Sequence, residues 1–190
     1  MRVSREQVAE NRQKILAAAS RLFRERGFDA VTVADVMKAA GLTHGGFYGY
    51  FRSKDDLIAQ TLAHVYAQGA AAETDVVRYA ANYLSPSHRD NLAGGCPTAA
   101  LGAETVRQSP DARAAMANGL RQQIERLSRG IPGLQTAQAR KAAIGSWSAM
   151  VGAVILARLV DDPALSDEVL EATRSWIGER NAPDEKMKSP

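Results

Sequence analysis

The sequence predicts an all-α chain: an N-terminal three-helix unit built around a helix-turn-helix, followed by a larger helical domain. Three observations carry this. Apolar residues recur at helical spacing along most of the chain, with no sustained alternation that would mark strands and no internal repeat. Helix-start signals crowd the first 56 residues, at Thr32, Thr43 and Ser53. With 190 residues, 45% hydrophobic and 24% charged, the chain is long enough to bury one sizeable core and a small satellite domain.

The first helix is expected over residues 4–26, where Ile15, Ala18, Ala19, Leu22 and Phe23 form one apolar stripe and Gly27 ends it. Thr32 precedes an apolar pattern and has Asp35 three residues on, while Ser53 is followed likewise by Asp56, so both resemble capping boxes. Thr43 opens the segment between them, and Gly41 suits a left-handed turn just before it. Together these segments can bury Ile15, Leu22, Phe23, Phe28, Val33, Val36, Leu42, Phe47 and Phe51.

On a wheel of about 100° per residue, an α-helix over residues 43–51 puts Phe47 and Phe51 on one side and Gly45, Gly46 and Gly49 on the other. Each glycine costs roughly 0.8–1 kcal/mol relative to alanine, so three in one short helix imply something that approaches the backbone closely. A DNA major groove would gain from that surface. Tyr48 and Tyr50 flank the strip and can donate to phosphates, Thr43 and His44 can reach base edges, and Lys54 with the amides of the next helix start adds an anion site. Half-buried tyrosine anchors and a solvated His44 are the plainer alternative for each residue taken singly. Charge is local: residues 1–54 carry ten Lys or Arg against five acids, +5, within a chain of net charge +3.

Further helices are expected over residues 53–72, 74–84, 97–108, 110–128, 136–160 and 166–179, with a polar loop over 85–95 and a break at 130–133. That loop either covers a pocket entrance or is a solvated connection. The helix over 136–160 mixes small residues (Ala142, Ala143, Gly145, Ser146, Ala149, Gly152, Ala153) with Ile144, Trp147, Met150, Val151, Val154 and Ile155. One amphipathic face needs less, so part of it is expected to meet a second subunit; a central helix inside one monomer is the alternative.

Several function classes lack support. No apolar run is read as approaching the roughly 18 residues a bilayer crossing needs, and the N-terminus is charged where a signal peptide is hydrophobic, so no membrane partner and a cytoplasmic location are expected. There is no phosphate-cradling glycine loop, nucleophile elbow or convincing carboxylate pair, so no enzyme and no cofactor are expected. One cysteine cannot form an internal disulfide, and His64, His88 and Cys96 have no recognisable metal spacing. Cys96, at the expected start of a helix, is either a buried or pocket-lining small hydrophobe or a thiol sensor of oxidants or electrophiles.

The run from about Arg12 to Leu57 resembles the DNA-binding domain of TetR-family transcriptional regulators, in particular the AcrR-like branch. The resemblance lies in Ile15-Leu16-Ala17-Ala18-Ala19, Leu22-Phe23, Gly27-Phe28, Thr32-Val33, Ala39-Ala40-Gly41-Leu42-Thr43, Phe47-Tyr48-Gly49-Tyr50-Phe51 and Ser53-Lys54-Asp55-Asp56-Leu57. It implies that Thr32 and Lys54 touch phosphates, that Thr43, His44, Gly45 and Gly46 face bases, and that Tyr48 and Tyr50 hold the DNA backbone. Tyr50 stands where many members carry histidine. It implies a DNA-binding domain over 1–54 and an effector-binding and dimerisation domain over 55–180, whose last two long helices form a four-helix interface in a homodimer. A small-molecule effector would then release a repressor from a palindromic operator. Tyr66, Tyr79, Tyr83, Cys96, Met116, Trp147 and Met150 are candidate pocket residues, though the same residue types suit a plain core. The alternative is a small-molecule-binding or interaction protein that keeps the scaffold without reading an operator. Arg2 and Arg5 suit a minor-groove arm or a frayed terminus, and 181–190 is expected to be a disordered tail.

Overall fold

Side-chain caps start most of the helices. In the computed structural model, which describes residues 4–69, 73–131 and 134–181, Ser4 Oγ accepts the Gln7 N–H and α1 runs over Arg5–Arg26. Thr32 and Asp35 close a reciprocal capping box at the start of α2, Val33–Ala39. Ser53 Oγ accepts the Asp56 N–H and starts α3, Lys54–Gln68. Asp56 turns its own carboxylate to the Arg52 N–H, one residue short of a closed box.

Gly41 has φ +71°, so the turn between α2 and the next segment takes a backbone conformation that L side chains rarely adopt. That next segment departs from expectation. Instead of an α-helix over 43–51, the chain forms a 3₁₀ turn over His44–Gly49. Its bonds run three residues, from Gly46 N–H to the Thr43 carbonyl and from Tyr50 N–H to the Phe47 carbonyl. Three glycines in six positions remove the propensity that would hold an α-helical turn, and Thr43 makes no side-chain cap.

The remaining elements are α4 (Val76–Tyr83), α5 (Pro86–Asp90), α6 (Pro97–Thr105), α7 (Pro110–Arg129), α8 (Thr136–Leu159) and α9 (Pro163–Asn181); no strand occurs among the described residues. Two of these revise the sequence reading. The expected loop over 85–95 contains α5, because Ser85 caps it and Pro86 fills its first turn. The last helix begins at Pro163 instead of 166, because Asp162 Oδ1 accepts the Ala164 and Leu165 N–H groups. The expectations for Arg2, for Pro132 and Gly133, and for 182–190 lie outside the described residues; Asn181, expected to open the tail, is instead the last residue of α9, its Nδ2 donating to the Ile177 carbonyl at 2.8 Å.

Two compact units result. The first gathers residues up to 69 with Leu92–Leu120, and the second gathers 73–91 with the described residues from Arg121 onward. In the first, Ile15, Phe23, Phe28, Val36, Phe47 and Phe51 are buried as expected, with Leu22, Val33 and Leu42 half-buried against them. Leu57, Ile58, Leu62, Leu101 and Ala112 complete this core, and the last two come from α6 and α7. The two ends of α6 are tied to α1 and the turn after it: Arg24 donates to the Gly95 carbonyl at 2.8 Å, and Glu104 Oε2 accepts the Phe28 N–H at 2.7 Å. Gly119 of α7 lies against the Tyr66 ring, where an added Cβ would fall 2.2 Å from ring carbons.

In the second unit α8 packs against α9, α4 and α5. Arg158 of α8 donates to the Arg89 and His88 carbonyls, and Arg89 reaches Ser166 at 2.8 Å and Asp167 at 2.6 Å, fixing α5 in place. α8 also corrects the reading that no run is apolar enough for a bilayer: by length and composition alone it is long and apolar enough to cross one. Its apolar residues occupy two opposite faces. Ala139, Ala143, Trp147, Met150, Ala153, Val154 and Ala157 are buried within the unit, whereas Ile144, Ile155, Leu156 and Leu159 are exposed.

Candidate nucleic-acid interface and effector residues

The 3₁₀ turn is pinned from below. Phe47 is buried and stacks on Phe51 at a centroid distance of 5.7 Å. Burying an aromatic of this kind contributes about 1.5–3 kcal/mol, enough to hold a turn that its own backbone does not favour. Above the anchor the surface is open. Nothing lies within 4 Å of where a Cβ would sit on Gly45 or Gly49, and Gly46 would meet only Thr43 Oγ1 and Met37 Cε at ordinary contact distance.

Thr43 and His44 are exposed at the start of the turn, and the Thr43 hydroxyl is not spent on capping. Tyr48 is 75% exposed, its ring edge-on to Phe47 at 5.3 Å. Tyr50 is half-buried and held in place: its phenol oxygen accepts a hydrogen bond from Asn11 Nδ2 at 3.1 Å, which leaves the phenol hydrogen to donate elsewhere. Asn11 was not singled out from the sequence; its partner is 39 residues away and no local pattern joins them.

Lys54 is the first residue of α3 and half-buried. Asp55 and Asp56 share that first turn, so the helix start already carries acidic side chains. Thr32 is exposed, but its hydroxyl donates to Asp35 Oδ2 at 2.6 Å while accepting the Asp35 N–H. The hydrogen bonds from Thr32 hold the Asp35 carboxyl below the usual carboxylate range. Thr43, His44, Gly45, Gly46, Tyr48 and Tyr50 therefore lie on one short turn, with Lys54 four residues beyond it and Thr32 at the start of the preceding helix.

The pocket candidates fall into two groups. In the first unit, Tyr66 Oη lies 2.7 Å from Thr98 Oγ1 and donates to Met116 Sδ at 2.9 Å. Cys96 occupies the N-cap position of α6 and is buried, and its side chain makes no capping hydrogen bond. In the second unit, Tyr79 stacks on Tyr83 at 5.8 Å, and both approach Trp147, at 6.1 and 5.2 Å. His88 Nδ1 donates to the Tyr83 carbonyl at 2.7 Å, and its ring lies 4.3 Å from the Tyr83 ring. Met150 is fully buried on α8. Among the described residues no group of three or more His, Cys, Asp or Glu is placed to hold a metal ion.

Two family patterns match the chain. Residues 15–61 match "Bacterial regulatory proteins, tetR family", and residues 72–173, more than half of the chain, match "Tetracyclin repressor-like, C-terminal domain". The HTH-type transcriptional repressor NemR of Escherichia coli strain K12 is 29% identical over 134 residues, covering 64% of this chain and 67% of NemR. The HTH-type transcriptional regulator AcrR of Shigella flexneri is 37% identical over 59 residues, 31% of this chain and 27% of AcrR. The crystal structure of E. coli NemR in its reduced form superposes with a TM-score of 0.77 at 25% identity, covering 91% of this chain and 98% of that one. With the glycine-stripped turn, the capped α2 and the helical second half, these matches place the chain in the TetR family of bacterial transcriptional regulators.

Proposed function

We propose that this protein is a homodimeric, ligand-responsive repressor that reads a palindromic operator through Thr43, His44, Gly45 and Gly46 and grips the DNA backbone through Thr32, Tyr48, Tyr50 and Lys54. The observation that carries the reading is the bare turn: Gly45 and Gly49 have no neighbour in their Cβ positions, directly above a buried aromatic anchor. A surface that keeps glycine where alanine would fit and stabilise has a use for the missing side chains. Operator binding also puts the protein in the cytoplasm.

The exposed face of α8 supports the dimer. At about 100° per residue, positions 144, 145, 148, 152, 155, 156 and 159 fall in one sector of about 120°, opposite the buried face. Gly145 and Gly152 in that sector have nothing within 4 Å, which suits close approach of a second helix. Leu159 is 73% exposed, and Leu165 and Trp176 of α9 are exposed as well. Two chains paired on these helices carry two reading turns, as a two-fold operator requires.

An effector acts by preferring one arrangement. It must bind the dimer that does not fit the operator more tightly than the dimer that does, for equal affinity would shift nothing. The deciding experiment is selection of bound sequences from a random duplex library by the purified full-length protein. Enrichment of a palindrome with half-sites about one helical turn apart, or a multiple of it, is the expected result. Weak, uniform retention by a folded dimer would instead favour a binding protein that reads no operator.

A further inference from the structure

We propose that Asn11 is a positioning residue for DNA binding: it commits the Tyr50 phenol to donating, so that the phenol hydrogen is delivered to a phosphate oxygen of the duplex. The proposal rests on the reading of Tyr50 as a contact to the DNA backbone. Asn11 is half-buried on α1, and Tyr50 closes the 3₁₀ turn. Their chain neighbours lock the same register. The Arg12 guanidinium lies over the buried Phe51 ring, 5.6 Å from its centroid, and donates to Gln60 Oε1 on α3. Consecutive residues of α1 therefore hold consecutive residues at the end of the turn.

A tyrosine hydroxyl can donate or accept and an asparagine amide can face either way, so other groups must set the direction of the Asn11–Tyr50 bond. They lie along the same face of α1. Glu10 Oε2 accepts from Gln7 Nε2 at 3.3 Å, and because a carboxylate only accepts, the nitrogen end of the Gln7 amide is the end turned toward it. The same nitrogen donates its second hydrogen to Asn11 Oδ1 at 3.2 Å. With its oxygen engaged, Asn11 turns Nδ2 to Tyr50 Oη at 3.1 Å, and the phenol oxygen accepts. Residues 7, 10 and 11 are helical neighbours, so only this last bond spans distant parts of the chain. Among the described residues no acceptor takes the phenol hydrogen. Each bond in such a series polarises the next and makes the terminal O–H a better donor.

Phosphate oxygens only accept, so a phenol held as a donor suits the DNA backbone and is mismatched to a donor on a base edge. Reversing the bond would spend the hydrogen inside the protein. Asn11→Asp does this with little change of shape: the carboxylate still accepts from Gln7, and it takes the Tyr50 hydrogen because it has none of its own to give. The new charge also opposes the phosphates. Comparing Tyr50→Phe with and without Asn11→Asp cancels that effect and leaves the coupling between the two residues.

The test titrates the full-length protein against a mixed-sequence duplex at low salt and against the palindrome selected from the library, with melting temperature as the check of folding. Tyr50→Phe is expected to cost about threefold to tenfold in the original protein, the worth of one hydrogen bond, and less than about twofold alongside Asn11→Asp. An equal cost in both backgrounds, or no cost in either, would overturn the positioning role while operator reading stands. If Asn11→Asp melts early, Asn11→Ala completes the same cycle: the cost of Tyr50→Phe should again shrink, and the salt dependence should stay as it was because no charge is removed. Both duplexes should show the same losses, since a phosphate contact carries no sequence. A loss confined to the palindrome would make Tyr50 a base reader and overturn its assignment to phosphate. A folded protein that binds neither duplex would overturn the DNA reading itself, and this proposal with it.

Discussion

Gly45 and Gly49 put the DNA reading to its sharpest test, because structure and function ask for opposite residues there. Space is open at both Cβ positions, so Gly45→Ala or Gly49→Ala should leave the melting temperature unchanged or raise it, by up to about 1 kcal/mol of stability. Operator affinity should nonetheless fall, measured by titration at fixed salt. Alanine variants that bind as tightly as the original would show that the glycines do not meet DNA. Lys54→Ala tests the other kind of contact. It should weaken binding to all sequences alike and lower the slope of log affinity against log salt by about one. Tyr50→Phe removes the donor that Asn11 positions, and should cost about 0.5–1.5 kcal/mol of DNA binding with little change of sequence preference.

At the scale of elements, close packing and burial make two further predictions. Gly119→Ala would drive a methyl group into the Tyr66 ring from within α7, and the usual propensity gain of alanine should be reversed into a loss of about 1–3 kcal/mol, read as a lower melting temperature. His88 predicts a pH dependence for the second unit. Burial lowers its pKa from the ordinary 6.5, its bond to the Tyr83 carbonyl pulls the other way, and the nearby Arg158 charge lowers it further. The unfolded chain thus takes up the proton near pH 6.5 and the folded chain only below that. Stability from neutral His88 is full above the unfolded value and is lost as pH falls through the folded one. Melting of the original protein and of His88→Gln should therefore converge between about pH 7.5 and 5, and a constant gap would remove His88 as the cause.

Elements were legible where one residue decides a boundary. Thr32 with Asp35, Ser53, Gly27 and Gly41 mark the ends of the first helices by their own chemistry, and Phe23, Phe28, Phe47 and Phe51 mark the core by spacing. The 3₁₀ turn was not legible, because the pattern that separates Phe47 and Phe51 from the glycines says nothing of whether bonds close over three residues or four. α5 hides in a polar stretch because it is one short turn held by Arg158 and Arg89, residues whose pairing is tertiary. Leu101 and Ala112 join the core around Phe23 from more than 70 residues away, and Asn11 finds Tyr50 across 39. For the pocket candidates, residue type alone could not separate the Tyr66–Thr98–Met116 cluster from the Tyr79–Tyr83–Trp147 cluster.

For the whole molecule, the two-faced α8 makes assembly the controlling variable. Leu159→Glu adds a charge where the chain leaves a leucine 73% exposed, so the fold should be retained by circular dichroism while light scattering reports a monomer that has lost operator affinity. A dimer that survives the substitution would place the interface elsewhere. The bare turn has one more consequence, for how such a protein changes over generations. Substitutions that alter what a protein recognises ordinarily spend stability, and lineages need a reserve before they can explore. At Gly45 and Gly49 the sign is reversed, since a small side chain there changes the surface offered to DNA while meeting no neighbour within the protein. A duplicated copy of this gene could therefore drift toward a new operator without first accumulating a stabilising background.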